Sequence, residues 1–535
     1  MIFAPRRNLR ARLAGPGVAA LAVILLSAAL AAACGGRPAP AVKHVIFFIG
    51  DGMSAESEVA ASRYLTGRDD GLAWQSLPAH AYVATWDVTA YNARARQAGR
   101  PPYSRSSFDP SVGYDVRTFG ARPLAGPGVT GRFPPGAATD SASAATALAT
   151  GCKTDSGNIA WLPGDPPDGA LTTILEDLRA RTGAAIGVIS TVPFDHATPA
   201  AFVSHNTSRS AYYTGLKGYK GLGIADEIVL QTKPDVVIGG GSPLLDNPGF
   251  DTKKGYISES LYRKLQASTD YVLVERRTGQ DGGLALAEGA KRAAAEGRKL
   301  FGLFGGRGGN FEVPRVEDSP GHPRVTPGSD ENPTLAEAAE AALGFLARNP
   351  KGFFLMIEQG DIDWANHDND YRGMIGAVAD LDAAVRAALA FVDRPGDDVD
   401  WTNTVLLVTA DHATGGLLLE PGRTLGPGDL PREDARVDEK GEPPAKIGSD
   451  RGPANGPVIK KPEYPSPYDY PDGDVSYGTA GHTNELVDLA VVGAAAPEFM
   501  RLRGAWYPGP ILDNTQINAA LRRALSLPAL GRHSR

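Results

Sequence analysis

The sequence predicts an α/β protein with a doubly wound, mainly parallel central sheet, flanked by helices and carrying loop-rich insertions. Short apolar runs are continuous rather than alternating, which is typical of strands buried on both faces. Helical patterns lie between these runs, so strands and helices alternate along the chain. Glycine and proline account for 64 and 42 of the 535 residues, which indicates many turns and long surface excursions.

Six apolar runs, each bounded by Gly, Asp or Thr, carry the strand prediction. They are residues 45–49, 184–189, 236–238, 353–357, 405–408 and 489–492. The clearest helix start is the capping box from Thr334 to Glu337, and residues 375–392 repeat apolar side chains at helical spacing. Ligands of such sheets bind beyond the carboxyl ends of the strands. The polar residues after each run are therefore the candidate functional residues.

Composition and local bias predict the domain organisation. Hydrophobic residues at 42% and charged residues at 21% are ordinary values for a soluble globular protein. The excess of acidic over basic residues, 61 against 54, argues against nonspecific nucleic-acid binding. The predicted segments are a signal peptide (1–33), a tether (34–41), a main α/β domain (42–510) with loop-built insertions near 91–136 and 420–476, and a C-terminal segment (511–535).

The N-terminus has the pattern of an export signal. Four arginines precede an apolar run over residues 18–33. A single membrane anchor is the alternative, but roughly 16 residues fall short of the ~20 needed to span a bilayer. Small residues before Cys34 resemble a lipobox and predict acylation of that thiol, against ordinary cleavage after an Ala-x-Ala pattern. We expect an exported protein of the bacterial cell envelope, either periplasmic or an outer-membrane lipoprotein. If Cys34 is acylated, Cys152 is the only remaining thiol and no intrachain disulfide can form.

Carboxylates and imidazoles follow three of the predicted strands. Asp51 lies in IGDGM, His412 ends TADH, and EQGDIDWANH runs from Glu358 to His367. An Asp after a strand is more often a helix cap, but the chain has only nine histidines and four of them fall in post-strand or glycine-rich segments. Mixed Asp and His ligands suit zinc, whereas an all-oxygen set of Asp, Glu and Thr suits magnesium. The four histidines are His196, His367, His412 and His482.

A candidate nucleophile lies in residues 139–151, which have the sequence TDSASAATALATG. The small residues predict a helix packed closely on the sheet, with Ser141 near its N-terminus, where free amides and the helix dipole favour a phosphate or an oxyanion. The structural alternative is that Asp140 or Ser141 is only an N-cap. The chain has no Gly-x-Ser-x-Gly elbow, so activation of the serine by a metal is favoured over a histidine base.

Together these motifs resemble the metal-dependent alkaline phosphatases over most of the chain, from about residue 42 to residue 497. The resemblance implies an alkaline-phosphatase-like fold, two zinc ions, one magnesium ion and a serine that is transiently phosphorylated. It implies that Arg209, in TSR, binds phosphate. The implied ligands are Asp363, His367 and His482 (in GHT) for one zinc; Asp51, Asp411 and His412 for the other; and Asp51, Glu358 and Thr198 (in DHATPA) for magnesium.

Other residues near these motifs have less direct roles. His196 and Trp364 occupy positions where some members of the family carry Asp and Lys, and we expect the pair to tune turnover, phosphate release and pH optimum around the metals. Asp140 is expected to act beside the nucleophile. His44, His80 and His205 are interpreted as structural.

The predicted activity is hydrolysis of small-molecule phosphate monoesters to inorganic phosphate. A diesterase or sulfatase with the same fold is one alternative, although no C/S-x-P-x-R sulfatase motif is present and Glu358, Thr198 and Arg209 favour monoesters. A lipid-tethered phosphate- or metal-binding protein without turnover is the other. The resemblance also implies a homodimer, because some members of the family dimerise through an insertion placed like residues 420–476.

Overall fold

The computed structural model describes residues 42–114, 138–216, 219–244, 250, 255–306, 308–419, 425–431, 468–470 and 473–529. The predicted signal peptide, Cys34 and the tether lie outside the described residues. Most of the predicted insertion at 420–476 and the second half of the insertion at 91–136 lie outside them as well.

The described strands are numbered here in chain order. They are β1 (His44–Gly50), β2 (Ala79–Ala84), β3 (Ala185–Pro193), β4 (Val236–Gly240), β5 (Tyr271–Glu275), β6 (Lys299–Leu303), β7 (Arg315–Val316), β8 (Val325–Thr326), β9 (Phe353–Gln359), β10 (Thr404–Thr409), β11 (Ala413–Thr414), β12 (Leu417–Leu419), β13 (Tyr468–Asp469), β14 (Val475–Tyr477), β15 (His482–Thr483), β16 (Val487–Gly493) and β17 (Ile511–Asp513).

The described α-helices are numbered in the same way. They are α1 (Ala55–Thr66), α2 (Val88–Gln97), α3 (Pro110–Gly113), α4 (Ser141–Thr150), α5 (Ile174–Thr182), α6 (Ala197–Val203), α7 (Ile224–Glu227), α8 (Glu259–Gln266), α9 (Gly282–Glu296), α10 (Leu335–Leu346), α11 (Asp361–His367), α12 (Tyr371–Val392), α13 (Ala496–Met500) and α14 (Asn514–Ala524). None of the helices in the described ranges is both long and apolar enough to cross a membrane.

Ten of the described strands form the central sheet, in the order β17-β2-β16-β10-β1-β9-β3-β4-β6-β5. All neighbouring pairs are parallel except those made by β16, which is antiparallel to both β10 and β2. The predicted mainly parallel α/β sheet is therefore confirmed. The six apolar runs correspond to β1, β3, β4, β9, β10 and β16, and the two helix predictions correspond to α10 and α12.

Four strands of the sheet have no counterpart in the sequence prediction: β2, β5, β6 and β17. These strands lie toward the two edges of the sheet. Burial is incomplete in β2 and β5, β6 begins with a lysine and contains a glycine, and β17 is only three residues long. In β2, for example, exposed His80 separates buried Ala79 from buried Ala81. Continuous hydrophobicity identifies central parallel strands and misses edge strands of this kind.

The core lies on both faces of the central strands. Every residue of β1, β3 and β9 is buried. Phe47 of β1 packs edge-on against Phe202 of α6, with ring centroids 5.9 Å apart. Complete burial of such a side chain contributes about 1.5–3 kcal/mol, so the middle of the sheet is a rigid base for the segments that leave its carboxyl edge.

The insertion at 91–136 is less loop-like than predicted where it is described. Most of α2 and all of α3 fall within it, and its aromatic side chains form a cluster with the chain on either side. Tyr103 packs on Phe108 with ring centroids 5.3 Å apart, and Phe108 packs on Trp506 at the same distance. The described part of this loop-rich segment, residues 91–114, therefore also contains short helices, which pack with the aromatic cluster.

The sheet continues past residue 510, where the sequence places the end of the catalytic domain. Strand β17 pairs with β2, and the Asn518 side-chain amide of α14 donates a 2.9 Å hydrogen bond to the carbonyl of Leu148 in α4. The C-terminal segment thus packs directly against the helix that carries Ser141.

Candidate metal centre

The candidate residues converge because their strands are neighbours. In the order β10-β1-β9-β3, each strand ends at the same edge of the sheet. Asp51 directly follows β1, Glu358 lies near the end of β9, and Asp411 and His412 follow β10. Thr198 lies in the first turn of α6, after β3. Residues separated by up to several hundred positions in sequence are brought together in this way.

The first ligand group contains Asp363, His367 and His482. Asp363 and His367 are four residues apart in α11, so they lie on one face of that helix. The two Nε2 atoms of His367 and His482 are 3.0 Å apart, and they lie 3.3 and 3.5 Å, respectively, from the Asp363 Oδ1 atom. Three potential ligand atoms therefore surround one point.

The other nitrogens of these two rings indicate why a cation fits that point. The Nδ1 atom of His367 lies 2.6 Å from the carbonyl of Ala480, and that of His482 lies 2.8 Å from the carbonyl of Thr139. Carbonyls only accept hydrogen bonds, so both Nδ1 atoms carry hydrogen and each neutral ring presents a lone pair at Nε2. Two facing lone pairs beside a carboxylate repel one another unless a proton or a metal lies between them.

The second ligand group contains Asp51, Asp411 and His412, all fully buried. The Nε2 atom of His412 lies 3.3 Å from Asp51 Oδ1 and 3.4 Å from Asp411 Oδ2. The other oxygen of Asp411 accepts hydrogen bonds from the backbone amides of Gly52 and His412, at 3.2 and 2.9 Å. Asp411 is thereby oriented with Oδ2 toward the centre.

A third set offers only oxygen. Asp51 Oδ2, Glu358 Oε1 and Thr198 Oγ1 are buried and have no hydrogen-bond partner among the described residues. The Ser190 hydroxyl donates to the other carboxylate oxygen of Glu358 and orients it. Buried polar atoms are rarely left unpaired, and oxygen-only ligands are the type that magnesium prefers. Asp51 contributes one oxygen to this set and the other to the second group.

The electrostatics of the centre also favour cations. Burial, followed by repulsion from neighbouring carboxylates, raises the pKa of both Asp51 and Asp411 well above the usual range. Burial raises the pKa of Glu358 to about 7. Crowded, buried carboxylates are costly to ionise together unless positive charge compensates them. The donor set and its charge therefore suit divalent metals.

Ser141 lies directly beside the second ligand group. Its Oγ atom is 3.1 Å from His412 Nε2 and 3.4 Å from Asp51 Oδ1. Ser141 is the first residue of α4, and the N-cap of that helix is Asp140, whose Oδ1 accepts a 3.0 Å hydrogen bond from the Ser143 amide. The N-cap alternative therefore applies to Asp140 and leaves the Ser141 hydroxyl turned to the centre.

Asp140 also holds Arg209. Its Oδ2 atom accepts a 2.9 Å hydrogen bond from Arg209 Nη1, while the amide of Gly157 donates to Oδ1 at 3.0 Å. Although burial opposes it, the Arg209 guanidinium and these hydrogen bonds hold the pKa of Asp140 below its usual range. One ionised carboxylate therefore ties the arginine to the start of the helix that carries Ser141.

The remaining predicted residues lie in two kinds of environment. His196 and Trp364 pack edge-on, with ring centroids 5.9 Å apart, and His196 Nε2 is 3.5 Å from Arg209 Nη2, so this pair borders the centre. His205 instead lies between Glu227, at 2.7 Å, and Glu176, at 3.3 Å. The other two histidines interpreted as structural also lie away from the ligand groups: His44 is buried in β1 beside Phe353, and His80 is exposed on β2.

Two contacts at the centre have no counterpart in the sequence analysis. Thr414 donates a 2.6 Å hydrogen bond from its hydroxyl to Asp363 Oδ1. Ser190, which orients Glu358, lies within β3. A signal exists for Thr414, because it follows the predicted ligand His412 by two residues and alternate residues of an extended chain share a face. Ser190 is the first polar residue after the apolar run 184–189, so its position after a strand is the signal that could have identified it.

Comparison with known proteins agrees with this geometry. The alkaline phosphatase family profile matches residues 132–439, more than half of the chain. An alkaline phosphatase from Escherichia fergusonii is 32% identical over 416 residues, which cover 75% of each chain. The chain belongs to the alkaline phosphatase family. It is a metal-binding enzyme that hydrolyses phosphate monoesters.

Two further similarities concern length and fold. The streptomycin-6-phosphate phosphatase of Streptomyces griseus is 28% identical to this chain, and the alignment covers 96% of both proteins. The crystal structure of Thermus thermophilus alkaline phosphatase superposes with a TM-score of 0.57 at 22% identity, covering 92% of this chain and 95% of that one. The structural similarity shows that the described residues adopt the alkaline phosphatase fold.

Proposed function

We propose that this alkaline phosphatase family member uses Ser141 as its nucleophile and passes through a phosphoserine. The observation that carries the proposal is the position of the Ser141 hydroxyl, 3.1 Å from His412 Nε2 and 3.4 Å from Asp51 Oδ1, at the start of a helix. Neither neighbour is a general base held by a carboxylate in the manner of a serine protease triad. Both neighbours belong to a ligand group, which supports activation by a metal.

We further propose that two zinc ions and one magnesium ion are bound. The mixed nitrogen and oxygen groups would hold zinc, one through Asp363, His367 and His482 and the other through Asp51, Asp411 and His412. The oxygen set of Asp51, Glu358 and Thr198 would hold magnesium. When bound, such ions neutralise phosphate oxygens and lower the pKa of hydroxyl groups and water.

The protein residues then divide the reaction into two displacements. The Ser141 oxygen attacks phosphorus as the bond to the leaving alcohol breaks, which leaves the phosphoryl group on Ser141. A water molecule then attacks the same phosphorus, releases inorganic phosphate and restores the hydroxyl. A covalent intermediate replaces one difficult step by two easier ones.

Arg209 is proposed to bind the phosphoryl oxygens throughout. Its planar guanidinium can donate two parallel hydrogen bonds to a phosphate, and Asp140 already fixes its orientation at 2.9 Å. A monoester dianion offers three non-bridging oxygens to the arginine and the cations, whereas a diester has only two and a single negative charge. This difference supports monoesters over diesters as substrates.

The test is a comparison on the purified holoenzyme of an aryl phosphate monoester, the matching diester and the aryl sulfate. We expect the monoester to be hydrolysed fastest. Faster hydrolysis of the diester or of the sulfate would indicate a diesterase or a sulfatase instead. Binding of phosphate without any turnover would favour a binding protein. Streptomycin 6-phosphate belongs in the same panel, because the Streptomyces griseus relative that aligns over 96% of the chain bears that name.

Metal analysis tests the cofactor proposal separately. We expect about two zinc ions and one magnesium ion per chain, with activity lost on chelation and restored when both metals are returned. Full activity in a preparation free of divalent metal would contradict the proposal. The control is to add each metal alone, because zinc without magnesium should restore only part of the rate if the oxygen-only set is a real site.

Location and assembly are proposed from the sequence. An exported enzyme anchored through acylated Cys34 follows from the basic and apolar N-terminal pattern, and mass spectrometry of the mature N-terminus tests it. An unmodified N-terminus on a protein that fractionates as soluble would favour plain periplasmic secretion. The homodimer proposal is tested by sedimentation of the purified catalytic unit, where a monomer at micromolar concentration would contradict it.

A further inference from the structure

One buried hydroxyl touches both nitrogen-containing ligand groups. Thr414 lies in β11 and is fully buried. Its Oγ1 atom donates a 2.6 Å hydrogen bond to Asp363 Oδ1 in the first group and lies 3.3 Å from His412 Nδ1 in the second. The two groups are therefore joined through a side chain that is not itself one of the proposed ligands.

The direction of the two hydrogen bonds is determined by the chemistry of the partners. A carboxylate only accepts, so the single hydroxyl hydrogen of Thr414 points to Asp363. The hydroxyl then has only lone pairs to offer His412, and the imidazole must donate from Nδ1. Because a neutral imidazole carries one hydrogen, His412 Nε2 is left with its lone pair, facing Ser141 Oγ at 3.1 Å.

His412 differs in this respect from the other two imidazoles of the centre. His367 and His482 place their Nδ1 atoms against the backbone carbonyls of Ala480 and Thr139. Within the described part of the chain, the Nδ1 contact of His412 is instead to a side chain. The orientation of His412 can therefore be changed by one substitution without altering the backbone.

The position of Thr414 is itself well determined. It pairs with His482 across the antiparallel β11–β15 ladder, and its amide donates a 3.1 Å hydrogen bond to the carbonyl of Gly52. The backbone of Thr414 is thus held by the strand that carries His482 and by the turn after β1. Its hydroxyl is held by Asp363 and His412. A rigid hydroxyl can transmit a displacement of one ligand group to the other.

We propose that Thr414 is a positioning residue that selects the metal-binding tautomer of His412 and couples the affinities of the two ligand groups. The proposal rests on the proposed function, since it assumes that both groups bind metal. Groups that orient metal ligands commonly change metal affinity by about 10–100-fold when they are removed. Because the hydroxyl serves both groups, its loss should weaken two bound ions rather than one.

The experiment is a zinc titration of the chelator-stripped full chain against a competing chelator, resolved into successive equivalents. Thr414→Val keeps the shape and removes the hydroxyl, whereas Thr414→Ser keeps the hydroxyl. Thr483→Val is the matched control, because Thr483 lies in the paired strand, is buried and donates a hydrogen bond of the same 2.6 Å length, but to Glu485. Thermal unfolding of all variants verifies that they fold.

The expected result is a loss of about 10–100-fold in affinity for both zinc equivalents in Thr414→Val, with Thr414→Ser within a few-fold of wild type and Thr483→Val unchanged. A loss confined to one equivalent, or equal losses in the Val and Ser variants, would overturn the coupling role. Should Thr414→Val not fold, Thr414→Ala replaces it in the same comparison. If the wild type itself binds no zinc, the proposed metal sites are wrong. If the wild type binds zinc but the variants do not differ as expected, only the proposed role of Thr414 is wrong.

Discussion

The substitution Gly52→Ala tests whether the turn after β1 must be free of a side chain for the centre to form. Gly52 has a φ of +69°, and a Cβ atom built on it would lie 2.7 Å from both Cα and Cβ of Asp363. Its amide donates to Asp411, and its carbonyl accepts from Thr414 and Asn366. The turn therefore touches both ligand groups that contain histidine.

The magnitude follows from two terms. The left-handed backbone costs an alanine about 1–2 kcal/mol. Ordinary contact begins near 3.4 Å, so Asp363 or the turn must move by roughly 0.7 Å to relieve the 2.7 Å approach. A displacement of about 1 Å at reacting groups costs ~10²-fold in rate, so we expect kcat/KM to fall by about two orders of magnitude.

The assay combines kcat/KM on an aryl phosphate, zinc content after dialysis and thermal unfolding. Gly297→Ala is the matched control: Gly297 has a φ of +66°, follows α9, and has open space where a Cβ would stand. The control should lose about 1 kcal/mol of stability with unchanged kcat/KM. Gly52→Ala should instead lose activity and zinc beyond what its stability loss explains.

Two outcomes would refute this reasoning. If Gly52→Ala retains wild-type kcat/KM and zinc content, the contact with Asp363 does not constrain the centre. If it behaves like Gly297→Ala, with a small stability loss only, backbone strain accounts for the whole effect. The new Cβ atom would then be accommodated without displacing Asp363.

Three further substitutions test separate parts of the site. Ser141→Ala should lower kcat by at least ~10³ and abolish trapping of labelled phosphate on the protein, because the covalent step is lost; a wild-type rate would contradict the nucleophile assignment. Arg209→Ala should weaken inhibition by inorganic phosphate by about 10–100-fold while zinc content stays unchanged, and loss of zinc instead would assign the arginine a structural role. His205→Gln should leave kcat unchanged and reduce stability by about 1–3 kcal/mol near pH 6. Although burial opposes it, the two flanking glutamates raise the pKa of His205 to about 10, so this stabilisation is complete below pH ~6.5 and disappears as pH rises through 10. An equal stability loss at pH 6 and pH 10.5, measured by chemical denaturation, would show that the ion pairs contribute nothing.

Much of the centre could be predicted because chemistry-bearing residues follow recognisable strands. Continuous apolar runs identify β1, β9 and β10, and the first polar residues after them include Asp51, Asp411 and His412. Strands of a parallel sheet end at a common edge, so residue type and position after a strand are enough to propose a metal site. Asp363 and His367 add the helical spacing that places two ligands on one face.

Other features depend on contacts between distant segments. Strands β16 and β17 both pair with β2, which lies several hundred residues earlier in the chain. Local hydrophobicity does not indicate which strands pair or in which direction, so neither the antiparallel direction of β16 nor the presence of β17 in the sheet could be predicted. The position of Ser190 and Thr414 is visible in the sequence, but their carboxylate partners are not, because a hydroxyl that orients a carboxylate has the same local sequence as one that does not. The local hydrophobic pattern of a sequence predicts burial and secondary structure, but not which distant side chains meet.

By itself, the sequence determined the α/β class, the central strands, the helix that carries Ser141 and the kinds of metal ligand available. The tertiary structure decided which oxygen of each carboxylate points inward, which nitrogen of each imidazole is free, and which polar atoms lack partners. The physical reason is that residue type and spacing set which groups can be ligands, whereas hydrogen-bond direction and metal geometry depend on distances of a few ångströms between groups that only the folded sheet brings together.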